Sequence, residues 1–103
     1  MLATCGLKEP TIEKIRSVFS RYPQVEEVIL YGSRAMGRHK NGSDIDLTMV
    51  GEGVTHSLFL KIENELDDLL LPYKIDLSVM RAIDNAELLD HIRRVGVVFY
   101  HKA

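Results

Sequence analysis

Three aspartates and one Gly-Ser pair are the residues of this 103-residue chain whose types and spacing suggest chemistry. Asp44 and Asp46 stand two apart where an apolar stretch, IDLTMV at 45–50, begins. On a strand, residues i and i+2 point the same way, roughly 6–7 Å apart. Both carboxylates would then aim at one place while Ile45 and Leu47 face a core. Asp76 sits in a similar setting in YKIDLSV at 73–79. If the two strands are neighbours, Asp76 would lie about one strand spacing, roughly 5 Å, from the pair. Carboxylates that close repel one another and hold their pKa values up unless a cation neutralises them. Oxygen-only donors favour a hard cation, Mg²⁺ or Mn²⁺, over Zn²⁺. Mg²⁺ completes its shell with water and phosphate. The candidate metal and catalytic residues are therefore Asp44, Asp46 and Asp76.

Phosphate would need a holder, and Gly32-Ser33 supplies a candidate ten residues before Asp44. A glycine lets backbone approach a ligand closely. The amides of Gly32 and Ser33, with the Ser33 hydroxyl, can grip phosphate oxygens. A helical turn over 34–37 would add free N–H groups. Arg34 and Arg38, about one helical turn apart, would share a face toward a triphosphate. This is neither a Walker A loop nor a G-x-G-x-x-G turn. Alone, Gly-Ser marks any strand end and Asp-x-Asp any solvated turn. Together, the pattern G-S-x10-D-x-D arises by chance in roughly one chain of this length per thousand, so the combination is read as a site.

The elements that must position these residues follow from periodicity. Pro10 suits an early helical position, and Ile12, Ile15, Val18 and Phe19 recur at helical spacing up to about Tyr22-Pro23. Residues 25–31, VEEVILY, read as a buried strand ending at Gly32. Residues 45–50 form the second strand. Thr55 or Ser57 can cap a helix with Leu58, Phe59, Ile62, Leu66, Leu69 and Leu70 on one stripe, stopped by Pro72. Residues 73–79 alternate, Ile75, Leu77 and Val79 on one face and Lys74, Asp76 and Ser78 on the other. Asp84 or Asn85 can cap a last helix with Leu88, Leu89, Ile92 and Val95 inward and Gly96 at its C′ position. Residues 97–101, VVFYH, close the chain's order α-β-β-α-β-α-β. The expected fold is a two-layer α+β domain over 1–103: a mixed four-stranded sheet with helices mainly on one face and Asp76 on the more open one.

Composition narrows the function classes. Net charge is −2, so nothing in the whole chain drives it toward nucleic acid or an anionic membrane, and the basic residues of the 32–46 loop are local. A nucleic-acid partner is not expected. One cysteine, Cys5, gives no disulfide framework and no cysteine zinc site and fits a reducing cytosol. No apolar run approaches the ~18 residues that span a bilayer. The first ten residues lack the pattern of a secretion leader. The expected location is the cytoplasm. His39, His56, His91 and His101 show no metal-ligand spacing, and His91 reads as structural or exposed. Tyr100 and the preceding VVF read as an edge strand able to meet another chain, a second copy included.

Gly32-Ser33, the ten-residue spacer, Asp44-Ile45-Asp46 and the later Asp76 resemble the nucleotidyltransferase superfamily related to DNA polymerase beta. The YGSRAMG and SDIDL forms, on so short a chain, look most like its minimal members, the MntA-type nucleotidyltransferases of prokaryotes. The resemblance covers nearly the whole chain. It implies Mg²⁺-dependent transfer of a nucleoside monophosphate from an NTP, ATP above all, to an acceptor hydroxyl, with pyrophosphate released. It implies that Asp44 and Asp46 are the paired metal ligands, Asp76 the third carboxylate beside the acceptor, and Gly32 and Ser33 the phosphate grip. It also implies a HEPN-domain partner, a toxin that the transferase adenylylates as its antitoxin. Larger members hold the nucleotide between two domains; one domain here suggests that a partner completes the cleft. The competing expectation is an interaction subunit that neutralises its partner by binding, with chemistry secondary or absent.

Overall fold

The computed structural model describes residues 5–103; residues 1–4, which carry part of the leader reading, lie outside the described residues. Helix α1 runs Glu9–Ser20 with Pro10 in its first turn, where a missing N–H costs nothing. Strand β1 (Glu27–Tyr31) leads directly into a one-turn helix, α2 (Gly32–Ala35). After a loop come β2 (Ile45–Val50) and α3 (His56–Asp67). Strand β3 (Ile75–Val79), a 3₁₀ turn (Met80–Ala82), α4 (Ala86–Val95) and β4 (Val97–His101) complete the order.

The sheet order is β3-β2-β1-β4. β1 pairs antiparallel with β2 and β4, and β2 pairs parallel with β3, so the sheet is mixed as expected. The antiparallel β1–β2 pair needs only a surface loop, while the parallel β2–β3 pair needs a crossover, which α3 supplies. The core lies between one sheet face and helices α1 and α3. Ile12, Ile15, Val18 and Phe19 of α1 and Ile62 and Leu66 of α3 pack on Val28, Leu30, Ile45, Leu47, Met49, Leu77 and Phe99. Those strand residues alternate with the ones that build the second face, which is why that face is free to be polar.

Thr55 caps α3, its hydroxyl accepting from Leu58 N at 3.2 Å, and Asn85 caps α4, its Oδ1 accepting from Leu88 N at 3.1 Å. The expected caps are thus resolved to one residue each. Leu70 does not join the α3 stripe. The helix ends at Asp67, and Leu70 takes φ 54° with its side chain 88% exposed. In α4 only Ile92 is fully buried, and Gly96 is extended rather than left-handed, with φ −62°. Space explains that glycine: a Cβ there would overlap Ile92 O and fall 2.7 Å from Ile29 Cγ2. Helix α4 therefore packs beside β1 on the second face, the side of the sheet that carries Asp76. On β4 the register slips opposite Val28 and Ile29, and Arg16 Nε donates to Phe99 O at 2.8 Å. A bulge and a capped carbonyl both blunt an edge strand toward another chain.

Candidate active site

The register places Tyr31 opposite Asp46 and Asp46 opposite Asp76. Residues opposite one another across a ladder share a face. Tyr31, Asp46 and Asp76 therefore form one row over β1, β2 and β3, with neighbouring strands about 4.8 Å apart. The row behind is Ile29, Thr48 and Ser78. Asp44 lies two residues before Asp46, just outside β2, whose first amide, Ile45 N, donates to Lys74 O at 2.9 Å. That bond locks the start of β2 to the segment leading into β3 and so brings Asp44 and Asp46 to the Asp76 end of the sheet.

Burial grades the three acids. Asp46 is half-buried, while Asp44 and Asp76 are exposed. Burial pushes the Asp46 carboxyl above its ordinary range, and the charges of Asp76 and Asp44 push it further; His91 opposes the rise. Among the described residues, none of the three carboxylates is paired with a lysine or arginine. Nor do any three His, Cys, Asp or Glu side chains there already close around a common point. An uncompensated acid row, open to solvent on one side, fits a hard cation that keeps water and substrate oxygens among its ligands. Tyr31 is 7% exposed, and burial raises its phenol, with Asp46 and Asp76 adding to the rise. The Ser78 hydroxyl stands near enough to moderate that rise without making a hydrogen bond of full geometry. Thr48 Oγ1 and Ser78 Oγ are buried without a partner among the described residues.

The glycine end meets this row directly. Gly32 has φ 76°, and a Cβ on it would overlap Asp46 Oδ2. Only a residue without a side chain leaves room for that carboxylate. The helical turn expected over 34–37 begins two residues earlier, at Gly32. The Gly32 amide is not free: it donates to His91 Nε2 at 3.1 Å. His91 also meets the Tyr31 ring edge-on, centroids 6.2 Å apart at 80°. Of the two readings of His91, structural or exposed, the structure bears out the first; its partner was not legible, because nothing in a helix pattern shows which strand end the helix crosses. Ser33, half-buried on α2, is the one side-chain donor of the Gly-Ser pair.

Arg34 and Arg38 do not share a phosphate-facing surface. Arg34 is 2% exposed; its Nε and Nη2 donate to Ser43 O at 3.1 and 3.0 Å and its Nη1 to Cys5 O at 2.9 Å. The guanidinium lies 4.9 Å from the centre of the Tyr73 ring. A one-turn helix starting at Gly32 rather than residue 34 turns this side chain inward. Its fork grips the carbonyl just before Asp44, so Arg34 ties the Gly-Ser end of the loop to the Asp end. Arg38 is exposed, with its amide bonded to Ser33 O at 2.8 Å.

The family model described as Polymerase beta, Nucleotidyltransferase matches residues 13–103. Among curated proteins, none matches the chain. Solved structures share its fold. A chain of a toxin-antitoxin crystal structure with AMP-PNP superposes with TM-score 0.71 at 19% identity, over 88% of this chain and 73% of that one. A chain from the complex of tri-AMPylated Shewanella oneidensis HEPN toxin with MNT antitoxin gives 0.67 at 16%, over 93% and 74%. The MntA-HepT toxin-antitoxin structure gives 0.67 at 16%, over 92% and 74%.

Proposed function

Because this chain belongs to the polymerase beta-type nucleotidyltransferase family, we propose that it transfers AMP from ATP to a hydroxyl on a HEPN-type partner protein, as the antitoxin of a toxin–antitoxin pair in the cytoplasm. The observation that carries the reading is the row of Asp46 and Asp76 with Gly32 packed against Asp46. It joins both halves of the G-S-x10-D-x-D pattern in one place. The relatives with AMP-PNP and with an AMPylated HEPN toxin support the choice of ATP and of partner.

In this reading Asp44 and Asp46, with Asp76 beside them, hold Mg²⁺, or Mn²⁺ in its place. An ion held there would supply positive charge to the phosphates and to the developing leaving group. Ser33 holds phosphate oxygens. Asp76, exposed at the outer end of the row, faces the acceptor and takes the proton from its hydroxyl. The acceptor oxygen bonds to the α-phosphorus as the bond to the α–β bridging oxygen breaks, and pyrophosphate leaves. Most of the catalysis is positioning and charge stabilisation. The exposure of Asp44 and Asp76 leaves the cleft open on one side, which suits completion by the partner.

The test uses α-labelled ATP, Mg²⁺ and a HEPN-type partner protein. Label should pass to the partner with wild type and not with Asp44→Asn/Asp46→Asn. Transfer by the double variant would refute the site. Full neutralisation of the partner by that variant, with no transfer, would favour the binding-only antitoxin instead.

A further inference from the structure

We propose that His91 is a positioning residue for the Asp46 carboxylate, acting through the Gly32 backbone. The inference rests on the reading of Asp46 as a metal ligand. Four observations carry it. The Gly32 amide donates to His91 Nε2 across 59 positions of sequence. That bond requires the nitrogen to be bare, so the ring's hydrogen sits on Nδ1. The ring is held from a second direction by its T-shaped contact with Tyr31, itself in the Asp46 row. Beyond the amide, the position a Cβ on Gly32 would take is filled by Asp46 Oδ2, leaving no space for even a methyl group.

The support behind His91 is firm. Asn85 caps α4, Ile92 next to His91 is buried, and Gly96 lets the helix end close on Ile29. Helix α4 thus fixes the imidazole, the imidazole fixes the Tyr31–Gly32 peptide, and that peptide walls one side of Asp46. Without the acceptor, the peptide loses the bond that fixes its plane, at a glycine whose backbone tolerates other angles. The Asp46 carboxylate then loses the wall that selects its rotamer. Groups that orient a metal ligand without touching the ion typically change metal affinity 10–100-fold when removed.

The experiment measures Mn²⁺ binding to the full chain by calorimetry, without nucleotide or partner, for wild type, H91F, H91Q and D46N. Phenylalanine keeps the aromatic edge against Tyr31 and removes the acceptor; glutamine places an oxygen close to where Nε2 stood. H91F should weaken Mn²⁺ binding about tenfold, and H91Q should restore most of it. A parallel ¹⁵N spectrum should show the Gly32 amide shifted in H91F and near its wild-type position in H91Q. Should H91F fail to fold, H91N takes its place, since the shorter amide falls short of Gly32. Equal Mn²⁺ affinity in wild type and H91F overturns the proposal, as does H91Q binding as weakly as H91F. Equal binding by D46N and wild type, or no binding by wild type, overturns the metal reading itself, and His91 as its positioning residue falls with it.

Discussion

Gly32 and Asp46 occupy one another's space: the position a Cβ would take on Gly32 is filled by Asp46 Oδ2. Gly32 is also left-handed, at φ 76°. A side chain there is excluded twice, by backbone strain and by the carboxylate. We expect Gly32→Ala to cost about 1–3 kcal/mol of stability from the backbone term, and to abolish nucleotidyl transfer by displacing Asp46. Urea denaturation and the label-transfer assay, run on the same preparation, read the two losses separately. An alanine variant with normal transfer would show that Asp46 does not need its present rotamer.

The acid row should make the metal-free protein unstable in a pH-dependent way. Asp46's folded pKa is raised by burial and by Asp76 and Asp44. A raised folded pKa means that the group's stabilising contribution is full below its unfolded value. It is lost as pH rises through the folded value. Asp46→Asn should therefore raise the melting temperature of metal-free protein at neutral pH while abolishing transfer. Added Mg²⁺ should stabilise wild type and leave the variant unchanged, and EDTA should reverse the effect.

Metal binding carries the opposite pH sign. The ion takes the ionised carboxylate, so Mn²⁺ affinity should fall as pH drops through the raised Asp46 value. Asp76→Asn removes a neighbouring charge that holds Asp46 up. It should shift the pH midpoint of residual Mn²⁺ binding downward; an unmoved midpoint would show that the two carboxylates do not interact.

Arg34 and Arg38 should separate cleanly. Arg34→Met leaves Ser43 O and Cys5 O without their donors, at a cost of about 1–3 kcal/mol per buried group left unpaired. Arg34→Lys should not rescue it, because an ammonium cannot give two parallel bonds to one carbonyl and lie over Tyr73. Arg38→Ala should leave stability within about 0.5 kcal/mol. Where Arg38 contacts phosphate, its replacement by alanine raises the KM for ATP, less so at high salt. Chemical denaturation and steady-state kinetics decide each arm.

Thr48 offers a control on the same face. Its hydroxyl is fully buried and unpartnered among the described residues. Thr48→Val keeps the shape and removes the orphaned group. It should be neutral or stabilising by up to about 1 kcal/mol, with transfer retained. A clear loss of stability would mean that the hydroxyl is satisfied in solution.

Much of this architecture was legible in the residue pattern. Strand β2 at 45–50, β4 at 97–101, the core-facing residues of α1 and the two candidate caps of α4 all follow from periodicity and capping chemistry, which are local rules. Asp44, Asp46, Gly32 and Ser33 stand out for the same reason: strand alternation and close spacing act over a few residues. The pairing of β2 with β3, which brings Asp76 opposite Asp46, was only a condition in the sequence. Parallel pairing depends on where the crossover helix packs, and that is set by the whole core. The same limit explains where the reading and the structure part. Arg34 looks like a phosphate ligand until α2 starts at Gly32 and turns it inward. Leu70 looks like helix stripe until α3 ends three residues earlier. His91 reads as structural or exposed, and only the fold shows what it supports: α4 crosses the end of β1 and meets an amide 59 positions away. Residue types and spacing determined which groups could do the chemistry; long-range packing, which no local pattern encodes, decided which groups hold them in place.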